Sequence, residues 1–246
     1  MSTYDQVFYE YVNRGAIRSA EIVLPHLLRH LAIGAVLDVG CGQGGWLSVF
    51  RRLGVTEVTG IDGDYVSRSH LLIPPERFVA GDLAAGFRLE GHFDLVMSLE
   101  VAEHLPPERS AAFVEALVGH GGMVLFSAAP PGQGGHAHIN EQDYDYWRRL
   151  FARHGYVGFD YLRPLIRHEQ RVEPWYRYNP ILYVASGRVA RLPEEIRRCR
   201  LAEGEPIKDL SPGWYRARKR LVRLLPPRLM TWIASCKERF VAGRPA

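Results

Sequence analysis

The sequence has few cysteines and no long apolar run. Its three cysteines, Cys41, Cys199 and Cys236, form no C-x-x-C pair. Neither a disulfide framework nor a thiolate zinc site is therefore indicated, and we expect a reducing, cytoplasmic environment. No apolar stretch reaches the roughly 18 residues needed to cross a membrane, and residues 1–14 are polar and aromatic. We expect no transmembrane helix and no signal peptide.

Charge is unevenly distributed along the 246 residues. The formal net charge is +4, but residues 213–246 contain nine Lys or Arg against one acid, Glu238, so residues 1–212 carry −4. Nucleic acid is an unlikely partner because the larger part of the chain is acidic and offers no basic track. The basic tail instead favours peripheral contact with the inner face of a membrane, packing on its own domain, or a homodimer contact.

A glycine-rich turn follows a short apolar strand near residue 40. Val36 to Val39 is predicted as a strand, and a helical pattern begins at Trp46. Glycines between them allow a sharp turn, and they let a ligand lie against bare peptide at the N-terminus of the following helix. The turn therefore predicts a nucleotide-type pocket.

The spelling of this turn fits two templates. Gly40, Gly42 and Gly45 match the dinucleotide pattern G-x-G-x-x-G. Asp38 and the glycines at 40, 42 and 44 match D-x-G-x-G-x-G, which resembles the class I S-adenosylmethionine (AdoMet) methyltransferases. Asp38 favours the second template, because a carboxylate attracts the ammonium and sulfonium of AdoMet and repels a pyrophosphate.

Strand and helix patterns alternate along the chain. The predicted strands cover residues 36–39, 55–61, 78–82, 93–99, 121–127, 157–162 and 181–186, with a helical leader over residues 5–31. Such alternation predicts an α/β fold with a doubly wound, mostly parallel seven-stranded sheet and ligands at the carboxyl ends of its strands. The last two strands are expected to form a hairpin-like pair at the sheet edge. We place a boundary near Arg188, between an AdoMet-binding domain (residues 1–187) and a helical, basic C-terminal extension (residues 188–246).

Over about residues 30–187 the chain resembles the class I AdoMet methyltransferases, whose fold is Rossmann-like. The resemblance implies that Asp62 accepts hydrogen bonds from the ribose hydroxyls. It also implies that Asp82 and Leu83 contact adenine, and that Asp38 and the glycine loop hold the methionine portion. Glu100, after the fourth strand, completes the predicted cofactor set. Alternatively, Asp62 or Asp82 alone could be a helix N-cap. An NAD-dependent oxidoreductase also remains open, since Asp62 lies 20 residues after Gly42, as does a cofactor-binding protein without catalysis.

Two further loops predict chemistry at the same sheet edge. Glu100 to His104 spells E-x-x-E-H, and the later stretch Gly135 to Glu141 contains H-x-H. Carboxylates mixed with imidazoles suit Mg²⁺ or Mn²⁺. The pattern resembles that of two metal-assisted groups, the small-RNA terminal 2′-O-methyltransferases and the ubiquinone-pathway catechol O-methyltransferases. By that resemblance the metal ligands are Glu100, Glu103, His104 and His138, and the candidate catalytic residues are His104, His136, His138 and Glu141.

A metal-free alternative stays open, because E-H-L also occurs in small-molecule methyltransferases in which these side chains only line the pocket. His136 or His138 would then be the general base. The aromatic stretch Trp175 to Asn179 is expected either to overhang the acceptor or to pack on the sheet. We expect transfer of a methyl group from AdoMet to a hydroxyl of a small molecule or glycan. N-methylation and an RNA 2′-OH remain alternative acceptor classes.

Overall fold

The computed structural model describes residues 3–224, with side chains from residue 13 onward. The described strands are β1 (Ala35–Val39), β2 (Glu57–Asp62), β3 (Phe78–Ala80), β4 (Leu95–Leu99), β5 (Met123–Ser127), β6 (Tyr156–Phe159) and β7 (Ile181–Ala185). The described α-helices are α1 (Thr3–Leu28), α2 (Gly45–Arg52), α3 (Ser110–Val118), α4 (Tyr144–Arg153), α5 (Leu162–Ile166), α6 (Pro174–Tyr178), α7 (Glu194–Arg197) and α8 (Gly213–Val222).

These strands form one sheet in the order β3-β2-β1-β4-β5-β7-β6. All neighbouring pairs are parallel except those that involve β7, which runs antiparallel to both β5 and β6. The predicted Rossmann-like, mostly parallel sheet is confirmed. The predicted pair at the edge does form, with Tyr156 opposite Ala185, but α5 and α6 connect its strands instead of a tight turn, and β7 lies inside the sheet.

Alternating side chains of the strands build a core on each face of the sheet. On one face Val36 of β1 and Met97 of β4 pack with residues of α1 and α2. On the other face Leu37 and Val96 pack with residues of α3 and α4. Successive side chains of a strand point to opposite faces, so apolar residues at consecutive positions produce a sheet that is covered on both sides.

The described part of the C-terminal extension packs on this sheet. The amide of Leu201 donates to the carbonyl of Gly158 in β6, and Ile196 and Ile207 are buried in the two cores. Contacts therefore cross the predicted boundary at Arg188. The predicted apolar stripe of the tail, Leu229, Trp232, Ile233, Cys236 and Phe240, lies outside the described residues. Within residues 3–224 none of the helices has the length and apolar character needed to cross a bilayer.

Candidate active site

The glycine loop joins β1 to α2, and three of its glycines have left-handed backbone angles. The φ angles are +84° at Gly40, +53° at Gly42 and +85° at Gly44, a region in which side chains are strained. A Cβ atom at Gly40 would overlap Val101. At Gly45, by contrast, a Cβ atom would meet nothing closer than 3.6 Å. The backbone therefore requires glycine at positions 40, 42 and 44, the three glycines of the D-x-G-x-G-x-G pattern. It does not require glycine at position 45, which belongs only to the dinucleotide pattern.

Asp62 ends β2 and is hydrogen-bonded to this loop. Its Oδ2 accepts from the amide of Gly42 at 2.6 Å, and its Oδ1 accepts from the amide of Gly63 at 2.7 Å and from the hydroxyl of Tyr65 at 2.5 Å. A carboxylate has about four acceptor positions, so three are used by the chain itself. The predicted ribose contact requires a free position or displacement of the Tyr65 hydroxyl.

Asp38 lies within β1 and is almost fully buried, with 3% of its surface exposed. Burial, reinforced by the nearby negative charge of Asp62, raises the pKa of Asp38 from 3.8 to about 8. A carboxyl in this environment is mostly protonated at neutral pH and becomes ionised when a cation lies beside it. The site therefore has the electrostatics expected for a cationic ligand.

Asp82 and Leu83 follow β3, which ends two residues earlier at Ala80. Asp82 is exposed, and its Oδ1 accepts from the amide of Ala84 at 2.8 Å. Leu83 packs against the core beside α3 and α4. The structure thus shows a side-chain-capped turn at Asp82, while contact with adenine stays a prediction.

Glu100 follows β4 with a left-handed φ of 58°. Its two carboxylate oxygens accept from the amide side chains of Gln133, at 2.6 Å, and Asn179, at 3.0 Å. Asn179 also donates to Gln133 at 2.9 Å and accepts from the Tyr144 hydroxyl at 2.9 Å. Burial raises the pKa of Glu100, while the bonds from Asn179 and Gln133 act against that rise. These amides occupy both oxygens of Glu100, which is not among the residues whose ligand atoms cluster, and its role as a metal ligand stays a prediction.

The potential metal cluster consists of Glu103, His104 and His138. One ligand atom from each lies within 4.8 Å of the others. Glu103 is fully buried, and its carboxylate oxygens have no side-chain hydrogen-bond partner among the described residues. Burial and the nearby Glu100 raise the pKa of Glu103 well above its usual range, while the backbone amides of Glu103 and Ala129 act against that rise. Burial and the neighbouring His138 lower the pKa of His104 to about 4, which keeps that imidazole neutral, as metal ligation requires.

Glu141 is hydrogen-bonded to His138 of this cluster. Its carboxylate accepts from the amides of Gly132 and Gly134, both at 2.7 Å, and from Nδ1 of His138 at 3.0 Å. Burial acts to raise the pKa of Glu141, but these hydrogen bonds outweigh it and lower the pKa. Because Nδ1 of His138 donates to Glu141, its Nε2 remains available to a ligand. Gly135 is required beneath the ring, since a Cβ atom there would overlap His138.

His136 is exposed and lies outside the cluster, although it is near enough to influence His104. Asn140 has no predicted role, yet its buried amide donates to the carbonyl of Ala102 at 3.1 Å and to the Ser110 hydroxyl at 2.9 Å. Asn140 thus fixes the second loop against the first. Gln133 and Asn179 also have no role in the predicted site. Their positions in the sequence could have indicated one, since Asn179 comes shortly before β7 and Gln133 lies in the glycine-rich loop after β5.

The aromatic stretch that precedes β7 packs inward in this structure. The ring of Tyr176 meets Trp46 of α2 edge to face, with centroids 5.1 Å apart. The fully buried Arg163 forms a two-point contact with Asp160, both distances being 2.7 Å. Arg163 therefore supports the fold and is not available to an acceptor.

The chain matches the family model for a methyltransferase domain over residues 16–161, more than half of its length. A magnesium protoporphyrin IX methyltransferase from Synechocystis PCC 6803, with bound S-adenosylhomocysteine, is 21% identical with a TM-score of 0.52, covering 70% of this chain and 84% of that one. The sugar N-methyltransferase KedS8 from Streptoalloteichus sp ATCC 53650 is 17% identical with a TM-score of 0.56, covering 75% and 93%. The methyltransferase domain of bacterial CtHen1-C is 17% identical with a TM-score of 0.52, covering 69% and 98%. No curated protein shows significant similarity to this chain.

The identities to the solved structures are low, so those structures support the fold. The family match begins in α1 and ends just after β6, and it therefore includes the glycine loop, Asp62 and the Glu103 cluster. The chain belongs to the methyltransferase-domain family.

Proposed function

We propose that this protein transfers the methyl group of AdoMet to a hydroxyl oxygen of a small molecule or glycan, assisted by Mg²⁺ or Mn²⁺. The observation that carries the proposal is the Glu103 carboxyl group, which is fully buried, has no side-chain hydrogen-bond partner among the described residues, and is approached only by the backbone amides of Glu103 and Ala129. An unpaired buried carboxylate is costly, and a bound cation removes that cost. His104 and His138 offer two imidazole nitrogens beside it.

The residues of the cluster fit a divalent cation of borderline hardness. Glu103 supplies an oxygen ligand, while His104 and His138 supply nitrogens, a mixture that suits Mn²⁺ well and Mg²⁺ with added waters. Glu141 fits the same interpretation, because a carboxylate commonly accepts the second ring N–H of a metal-bound histidine. When bound there, the metal would lower the pKa of an acceptor hydroxyl and orient its oxygen.

The cofactor would lie across the glycine loop, with its cationic portion toward Asp38 and its ribose toward Asp62. In the transfer, the acceptor oxygen forms a bond to the methyl carbon while the bond from that carbon to sulfur breaks, so the sulfonium becomes a thioether. The hydroxyl proton passes to a base. His136, which is exposed and near enough to His104 to influence it, is our candidate for that base.

The experiment is a transfer assay with isotopically labelled methyl-AdoMet and a panel of catechols, sugars with adjacent hydroxyls, and aminosugars. We expect labelled product with an O-methyl linkage by fragmentation mass spectrometry. We also expect loss of product in EDTA, recovery with Mn²⁺ or Mg²⁺, and unchanged AdoMet binding throughout.

Glu103→Gln should abolish metal-dependent transfer. His154→Ala is the matched control, since His154 is exposed at the end of α4 and far from the cluster. Full activity in EDTA would eliminate the metal, and exclusive methylation of the amino groups would eliminate O-methylation.

A further inference from the structure

We propose that α8 docks this protein on an anionic membrane surface through an exposed apolar face. Trp214, Leu221 and Leu224 are 69%, 68% and 80% exposed, respectively. At about 100° per residue these three positions, together with Ala217, lie on one side of the helix and the turn that follows it. A group of large and strongly exposed apolar side chains on one side of a helix indicates a binding surface.

The positive charge of α8 favours an anionic lipid surface as its partner. Each charged residue of Gly213–Val222 is basic, and Arg223 follows directly. By helical geometry Arg216, Arg220 and Arg223 lie on one flank of the apolar face. All three are exposed. An apolar face with a tryptophan and a basic flank is the composition of a helix that lies in the headgroup region of an anionic bilayer. A second copy of α8 would bring like charges together, so charge complementarity favours lipid.

Two other sides of α8 are fixed to the domain. Lys219, opposite the apolar face, is buried and donates to Asp209. On the flank away from Arg216 and Arg220, Nη1 of Arg218 donates to the carbonyl of Gln133 at 3.0 Å. A Cβ atom at Gly132 would overlap the backbone of Lys219, so the helix touches the glycine-rich loop directly. The helix is thus held with its apolar face outward, beside the loop that carries Gln133 and His138. Docking would place this loop near the lipid surface.

The test is flotation with phosphatidylcholine vesicles that contain either no anionic lipid or about a third phosphatidylglycerol. We expect wild-type protein to float with the anionic vesicles and not with the neutral ones, and high salt to reduce flotation. Combined substitution of Trp214, Leu221 and Leu224 by serine should reduce the bound fraction at least tenfold. Substitution of Arg216, Arg220 and Arg223 by glutamine should weaken partitioning several-fold per charge.

Leu165→Ser is the matched control, because Leu165 is 51% exposed but lies in α5; we expect it to float as wild type does. Circular dichroism melts should show that all variants fold. Equal flotation of wild type and the serine variant would overturn the proposal and assign any binding to residues 225–246. No flotation of wild type, with a dimer in sedimentation analysis that the serine variant dissolves, would overturn it in favour of a second copy.

Discussion

Replacement of Asp38 by asparagine should stabilise the cofactor-free protein and weaken its binding of AdoMet. The folded protein raises the pKa of this carboxyl from 3.8 to about 8. Between these pH values the folded state holds a proton that the unfolded chain has released, so the free energy of unfolding falls as pH rises. The slope is about 1.4 kcal/mol per pH unit, which amounts to a loss of roughly 3 kcal/mol between pH 5 and pH 7. The asparagine side chain does not titrate, so the free energy of unfolding of the variant does not fall with pH for this reason.

Urea unfolding of both proteins at pH 5 and pH 7 measures the difference directly. From pH 5 to pH 7, the free energy of unfolding of Asp38→Asn should rise relative to that of wild type by roughly 3 kcal/mol. This value is an upper limit, because relaxation of the site reduces the difference. Any constant cost of burying the amide cancels in the comparison. A stability difference that does not change with pH would refute the assignment of a raised pKa to Asp38.

The second part of this prediction, that Asp38→Asn weakens AdoMet binding, is tested by measuring the protons released on binding. A cation beside Asp38 favours the ionised carboxylate, so AdoMet binding at pH 7 should release close to one proton, about nine tenths for a pKa of about 8. Calorimetric titrations in buffers of different ionisation enthalpy measure that number. We expect Asp38→Asn to bind more weakly and to release none. Tight binding by wild type without proton release would place the cationic part of the cofactor elsewhere.

Three further outcomes follow from the site. Asp62→Ala should weaken AdoMet binding roughly 10 to 150-fold by calorimetry, and wild-type affinity would remove the ribose assignment. Glu141→Ala should cost about 10 to 100-fold in Mn²⁺ affinity by leaving His138 unoriented, with AdoMet binding unchanged. Burial acts to raise the pKa of Asp209, but hydrogen bonds from Lys219 and Ser211 lower it overall. Its stabilising contribution is therefore complete above its unfolded pKa and lost as pH falls through its folded pKa. The protection factors of the α8 amides, which correct hydrogen exchange for its intrinsic dependence on pH, should fall below roughly pH 4, and Asp209→Asn should show the lower protection already at pH 7.

The features predictable from sequence are those that depend on local geometry. The glycine spacing after Val39 determines a turn with left-handed backbone angles, and consecutive apolar residues in strands such as Leu95–Leu99 determine a sheet buried on both faces. Both the turn and the buried sheet depend on residues only a few positions apart in the chain, so they can be predicted from a single sequence. The mostly parallel fold followed from the alternation of these units.

The features that sequence did not predict depend on partners far apart in the chain. Glu100 and Glu103 are equivalent in E-x-x-E-H, yet Gln133 and Asn179 hold the first carboxylate while the second faces two histidines. The spacing of the motif contains no information about those amides. The same holds for α8, whose packing against Gly132 joins residues that no periodicity connects.

Metal-assisted transfer can be tested by equilibrium binding of Mn²⁺, followed by electron paramagnetic resonance on the protein saturated with S-adenosylhomocysteine. We expect about one bound Mn²⁺ per chain in wild type, its loss in Glu103→Gln and His138→Ala, and its retention in Glu100→Gln, because Glu100 is not among the clustered ligands. No bound Mn²⁺ in wild type, or equal binding in all four proteins, would contradict it.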